Sequence, residues 1–339
     1  MNITQKINAF VQLGDTIRGF STDQKAALGQ MIKSKNEWFT PENLELALNG
    51  LQQYLNKNNL EQWVARYPAL NQEKNSRKVG VVMAGNIPAV GFHDLLSVVI
   101  SGHTLYAKLS SQDSVLMKEL IRLLLEIAPA LKEQIVLTEQ LKGVEAIIAT
   151  GSDNSSRYFE AYFGHLPHII RKNRSSVAVL SGNESEEDLT LLSNDIFQYF
   201  GLGCRNVSKL FVPKGYKFDP FFEAIFPWGE ALLAHSKYCN NYEYHRALFL
   251  MKKMNMLDNN FLLVAEYESM VSPVGVMFFE YYESEAEIQQ KLQENADKIQ
   301  AVVAKNKAFD KQVAFGQAQT PQLWEYADGV DTMAFLTKL

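Results

Sequence analysis

Cysteine is scarce in this chain, with only Cys204 and Cys239 among 339 residues. Two cysteines without C-x-x-C spacing cannot build a disulfide framework, and a reducing cytoplasm is the expected setting. Basic charge is not concentrated either. Lys and Arg number 33 against 38 Asp and Glu, for a net charge of −5. Nucleic acid and anionic membrane surfaces are therefore disfavoured as partners. No run reaches the roughly 18 apolar residues that a membrane span needs. The most apolar early stretch, AVGFHDLLSVVI, is broken by His93 and Asp94. The first residues, MNITQKINAF, lack the basic-then-apolar plan of a signal peptide. Repeats and low-complexity segments are missing. So is G-x-G-x-x-G, the usual dinucleotide fingerprint. What is there is ordinary globular material, 47% hydrophobic and 21% charged. Its length suits two domains or one large α/β unit.

Residues 2–66 read as helix. ITQKINAFVQL repeats apolar residues at helical spacing, and TPENLELALNGLQQYL opens with Thr40 as N-cap and Pro41 in the first turn. Residues 67–77, YPALNQEKNSR, read as a linker. The pattern then alternates. KVGVVMAGN (78–86) reads as a buried strand, and IPAVGFHDLLSVVISG as a helix closed by Gly102. HTLYAKLS, EQIVLTEQ and VEAIIATGS read as strands, with QDSVLMKELIRLLLEIAP helical between the first two and a further helix over 153–163. Such alternation predicts right-handed βαβ units and a parallel sheet covered on both faces. Near 172 the plan restarts with SSVAVLSG, SEEDLTLLSNDIFQYF and NVSKLFVP, which predicts a second α/β domain. EYYESEAEIQQKLQENADK reads as the solvated face of a helix.

Ligands of open α/β sheets bind beyond the carboxyl ends of the strands. AGNIP (84–88), AKLSS (107–111) and ATGSD (149–153) stand at such ends and are the candidate cofactor stretches. Cys204 sits in QYFGLGCRNVSKLFVP, in a glycine-flanked turn between helix and strand. From the residues alone it is a nucleophile, a metal ligand or a small buried side chain. His235, Cys239 and His245 form H-x3-C-x5-H, which matches no zinc pattern, so no metal is expected.

A strand ending in AGN-x-P, a second strand ending in Lys108, a TGS turn at 150–152 and a later glycine-flanked cysteine form an ordered set. Over about residues 78–215 this resembles the aldehyde dehydrogenase superfamily, and within it the LuxC-type fatty acyl-CoA reductases. The resemblance implies two α/β domains. A variant Rossmann domain over 78–172 would carry a helical N-terminal region (1–70), and a catalytic domain would span 173–315. Residues 316–339 would form a C-terminal segment returning to the cofactor domain. It further implies Cys204 as nucleophile, with the Asn86 amide and the Cys204 N–H as oxyanion donors. Ala84, Lys108, Ser110, Gly151 and Ser152 would contact the dinucleotide.

Two departures shape the expected reaction. Aldehyde-oxidising members carry a glutamate base in the segment that here reads HIIRKNRSS (168–176), which has no carboxylate. The chemistry then becomes acyl thioester in and aldehyde out, with fatty acyl-CoA or acyl-protein as substrate. NAD-preferring relatives often place a glutamate three residues after the lysine, where this chain has Ser111. NADPH is therefore the expected cofactor, with NADH as the alternative. The resemblance also implies an acyl-protein synthetase as partner and a homo-oligomer, although no bridging hairpin is legible. Rival readings are an aldehyde dehydrogenase with another base, a cysteine-dependent acyltransferase, and a non-catalytic member of the fold. The aromatic run FDPFFEAIFPWG (218–229) reads as helix packing, with an acyl tunnel as the alternative. His165 and His168 read as part of a connection. Glu268 falls near a family glutamate but one residue out of register, and is not assigned.

Overall fold

The computed structural model describes residues 1–72, 75–305 and 308–339. Positions 73 and 74, within the expected 67–77 linker, lie outside the described residues. The chain forms two compact units, residues 1–173 with 322–339, and residues 174–321.

The first unit opens with four helices, α1 (Ile3–Arg18), α2 (Thr22–Lys35), α3 (Pro41–Tyr54) and α4 (Lys57–Ala65). Each starts where a short polar side chain can satisfy an orphan N–H. Asn2 and Ser21 form capping boxes with Gln5 and Gln24, and Thr40 accepts from the Asn43 N–H ahead of Pro41. Their apolar faces bury Phe10, Leu13, Ile17, Leu48 and Trp63.

An alternating βα segment follows: β1 (Lys78–Val82), α5 (Phe92–Ser101), β2 (Thr104–Lys108), α6 (Ser114–Ile127), β3 (Ile135–Leu137), β4 (Ala146–Thr150), α7 (Asp153–Phe163) and β5 (His168–Arg171). The strands are parallel in the order β3-β2-β1-β4-β5. β4 is buried from Ala146 to Ala149, as a strand covered on both faces must be. α5 ends on Gly102 at φ 91°, a left-handed cap that glycine adopts without strain. Buried Lys6 donates to the Val99 carbonyl (3.0 Å) in the last turn of α5, where a cation suits the helix dipole.

Two sequence expectations need correcting. β1 stops at Val82, and α5 starts only at Phe92. Between them the chain is irregular, and Ala89, left-handed at φ 59° after Pro88, keeps the helix from starting where the sequence suggested. His168 is not in a connection. It opens β5, whose Ile169 is buried opposite Ile148, so the alternation in HIIR was a short strand signal.

The second unit contains β6 (Ser175–Val179), α8 (Glu186–Phe197), β7 (Val207–Pro213), α9 (Asp219–Ile225), α10 (Gly229–Leu233), α11 (Ser236–Met251), β8 (Leu257–Asp258), β9 (Leu263–Glu266), β10 (Val276–Tyr282), α12 (Glu285–Glu294), β11 (Ile299–Val303) and β12 (Gln312–Val313). Among the described residues its sheet runs β12-β11-β6-β7-β10-β9-β8 and is parallel except for β8 against β9.

The chain returns to the first unit through residues 322–339, which include α13 (Thr332–Thr337). The Trp63 indole N–H donates to the Tyr326 hydroxyl (2.6 Å), and Tyr67 donates to Asp331 (2.9 Å). Each hydroxyl has one proton, so Tyr326 must be the donor across its 2.7 Å contact with Tyr67. His103 accepts the Arg77 N–H at Nδ1, so its Nε2 carries the proton and donates to the Leu336 carbonyl (2.9 Å).

Candidate active site

In the first unit β1 has β2 on one side and β4 on the other, so the winding reverses at β1. The crevice beyond the carboxyl ends of β1 and β4 is the place such a sheet offers a ligand. The loop after β1 is set by contacts that exclude larger side chains. A Cβ on Gly85 would lie 2.3 Å from Ser110 Oγ and 3.3 Å from Asp113 Cβ, and one on Gly91 would lie 2.8 Å from Met83. The Ala89 N–H donates to Asp113 Oδ2 (2.9 Å). Asn86 is exposed between these anchors, next to half-buried Ala84. Lys108 is exposed at the end of β2, and its carbonyl accepts the Met83 N–H (3.0 Å). Ser110 accepts the Gln112 N–H and packs against Gly85. Burial pushes the Asp113 carboxyl up to about 8, against the opposing pull of the Ala89 N–H. Its Oδ1 is buried with no hydrogen-bond partner.

Beyond β4, a Cβ on Gly151 would meet Ser155 Cβ at 2.8 Å and Phe159 Cε2 at 3.0 Å, so the strand can turn this closely into α7 only with glycine. Exposed Ser152 caps α7 by accepting the Ser155 N–H (3.3 Å). An open helix start of this kind suits a phosphate.

In the second unit Cys204 is exposed in the connection from α8 to β7. Three successive residues there, Tyr199, Phe200 and Gly201, have φ of 53°, 57° and 76°. Two of them are not glycine, which costs about 1–2 kcal/mol each. The strain is held by packing, with Tyr199 buried and the Phe200 ring 4.3 Å from the His235 ring. Gly203–Asn206 then form a tight turn with Cys204 and Arg205 at its centre. The Asn206 N–H donates to the Gly203 carbonyl (3.0 Å), and the Gly203 N–H donates to Asn206 Oδ1 (2.8 Å). The Asn206 amide NH2 is shared among the carbonyls of Asp195 (3.0 Å), Ile196 (3.2 Å) and Gln198 (2.9 Å). Ser176 Oγ donates to the Cys204 carbonyl (3.2 Å), and Arg205 reaches the Ala318 carbonyl (3.5 Å).

Sequence reading missed Asn206, Ser176 and Asp113. The G-x-x-N spacing of Gly203 and Asn206 was a usable turn signal. Asp113 looks like an N-cap for α6 but makes no side-chain cap bond there, bonding the Ala89 N–H instead, which no local pattern reveals.

The other candidates separate. His235 caps α11 through Nδ1 and stacks on Phe200, while burial lowers the pKa of His245. Among the described residues no group of three His, Cys, Asp or Glu could hold a metal. In FDPFFEAIFPWG, Phe218 and Phe221 are buried, with Phe218 4.8 Å from Phe279 of β10, whereas Phe226 is exposed. Glu268 gives its backbone carbonyl to fully buried Lys209 (2.8 Å), which also pairs with Glu280. Burial lowers the Lys209 pKa, with Glu280 opposing. An open cavity of about 610 Å³ is lined by Glu266, Tyr267, Glu268, Ser269 and Glu280.

No protein-family model matches this sequence. No curated protein matches it either. Solved structures do. The chain is similar to aldehyde dehydrogenase 21 from Physcomitrella patens, solved with its product succinate, at 11% identity and TM-score 0.69, covering 100% of this chain and 84% of that one. It is similar to an aldehyde dehydrogenase from Bacillus cereus, solved with NAD+, at 12% identity and TM-score 0.63, covering 91% and 72%. It is similar to an NAD-dependent aldehyde dehydrogenase from Sinorhizobium meliloti at 11% identity and TM-score 0.64, covering 92% and 72%. The fold is thus aldehyde dehydrogenase-like, with a parallel α/β unit and a second α/β unit whose sheet is mixed. Among the described residues no helix is long and apolar enough to cross a membrane.

Proposed function

We propose that this chain reduces an acyl thioester to an aldehyde with a nicotinamide dinucleotide, through an acyl group carried on Cys204. The observation that carries this reading is the Cys204 turn. An exposed cysteine is held by Asn206 and Ser176 in an aldehyde dehydrogenase-like fold, in a chain whose segment 168–176 has no carboxylate.

The first unit supports the cofactor half. Gly151 lets β4 turn closely into α7, and the start of α7 favours negative charge. Ala84, Lys108, Ser110, Gly151 and Ser152 are the residues that would hold the dinucleotide. Ser111 places no carboxylate against a 2′-phosphate, which favours NADPH, with NADH as the alternative. When bound, the reduced nicotinamide supplies a hydride.

The chain's own groups do the rest. The Cys204 thiolate attacks the thioester carbonyl, the carbon–sulfur bond to the carrier breaks, and the carrier leaves as a thiol. Asn86 and the Cys204 N–H are assigned as oxyanion donors, each worth about 2.7–4 kcal/mol in comparable sites. After reduction, the thiohemiacetal on Cys204 collapses, which frees the thiolate and releases the aldehyde. One thioester, one reduced dinucleotide and one proton give one aldehyde, one carrier thiol and one oxidised dinucleotide. Without a carboxylate in 168–176 to activate water, the acyl-enzyme persists until it is reduced. The substrate class is fatty acyl-CoA or acyl-protein, and an acyl-protein synthetase is the partner that follows from the sequence resemblance.

Intact-protein mass spectrometry with a long-chain acyl-CoA, with and without NADPH, tests the reading. An adduct that maps to Cys204, disappears as aldehyde forms and is missing in Cys204→Ala supports it. An adduct indifferent to reduced dinucleotide would instead make the chain an acyltransferase. Oxidation of aldehyde without any thiol acceptor would make it an aldehyde dehydrogenase.

A further inference from the structure

The connection to Cys204 leaves α8 at its carboxyl end, where orphan carbonyls carry partial negative charge. Such an environment opposes a thiolate. The structure answers this with one buried side chain. Asn206, 1% exposed, turns its amide NH2 onto the carbonyls of Asp195, Ile196 and Gln198, and its Oδ1 onto the Gly203 N–H. It therefore caps the helix and closes the turn that presents Cys204. Ser176 adds a third hold, on the Cys204 carbonyl itself (3.2 Å).

We infer that Asn206 is a positioning residue for Cys204: by covering the carboxyl-end carbonyls of α8 and clamping Gly203, it makes the Cys204 thiolate accessible. Its catalytic meaning rests on the proposed role of Cys204, but its effect on the thiol does not need that role.

The experiment uses the full chain in a Cys239→Ser background, with Cys204 as the remaining thiol. The rate of alkylation by iodoacetamide is followed against pH, with the modified peptide identified by mass spectrometry. Asn206→Asp keeps an acceptor for Gly203 but turns a carboxylate onto three carbonyls. Asn206→Ala removes both functions. Asn206→Ser is the milder change if alanine prevents folding. The alkylation midpoint is expected to rise by roughly half a pH unit to one unit in the alanine variant. The aspartate variant should rise further, and the serine variant less. Folded variants that keep the wild-type midpoint would overturn the inference. Acylation by a long-chain acyl-CoA is measured in parallel. A wild-type chain that takes no acyl group, while the variants still shift the alkylation midpoint, sinks the reductase reading and leaves the role of Asn206 standing.

Discussion

Arg171 at the end of β5 and Asp94 in the first turn of α5 form a buried ion pair, Nη1 to Oδ2 at 2.7 Å, with both side chains under 10% exposed. The second terminal nitrogen of Arg171 donates to Thr332 Oγ1 (2.8 Å), so one guanidinium ties the sheet of the first unit to α5 and to α13. Removing one partner leaves the other charge buried, which costs about 3–5 kcal/mol. Asp94→Ala should therefore lower unfolding free energy by about that much in a urea titration. Arg171→Leu combined with Asp94→Leu should recover a large part of it. A loss in the double variant equal to the sum of the two single losses would show that the pair is not coupled.

Asp113 predicts a pH slope. Its carboxyl is raised from 3.8 to about 8 by burial. A raised folded-state pKa means that this group's contribution to stability is fully present below about 3.8 and is lost as pH rises towards 8. Asp113→Asn cannot ionise and can still accept the Ala89 N–H. The stability of wild type minus variant should fall across that window by up to about 1.4 kcal/mol per pH unit and flatten above it. Parallel stability curves from pH 5 to 9 would show that Asp113 does not titrate in this way.

Gly151→Ala puts a Cβ 2.8 Å from Ser155 Cβ and 3.0 Å from Phe159, which displaces the start of α7. Under the proposed cofactor role, NADPH binding measured by fluorescence titration should weaken about tenfold, equivalent to about 1.4 kcal/mol. Alkylation of Cys204 should not change. Unchanged NADPH affinity would remove Gly151 from the cofactor site.

Ser111→Glu introduces the carboxylate that the sequence lacks. It should lower affinity for NADPH and leave NADH less affected, because the added charge repels a 2′-phosphate. Equal effects on both cofactors would place the adenosine ribose elsewhere.

The fold was legible because its signals are local and periodic. Strand and helix alternate from Lys78 to Phe163, and Thr40, Pro41 and Gly102 mark helix ends by their backbone chemistry. The loop after β1 was not, because Ala89 takes a left-handed conformation that its residue type does not announce. Cys204 stood out by rarity. Its supports did not, since Ser176 and Asn206 reach it from a strand and a turn whose pairing only the folded chain provides. Lys209 shows the same limit, being a lysine in a strand that is satisfied by two carbonyls and Glu280 from distant sequence.

The return of residues 322–339 to the first unit bears on the order of synthesis. The helices of α1–α4 leave the ribosome early, yet the hydroxyl that receives the Trp63 indole belongs to Tyr326 and emerges only after the entire second unit. The uninterrupted second unit can close as soon as it is translated. The first must wait with part of its apolar surface uncovered, and that nascent interval is when chaperones and proteases have most access to it.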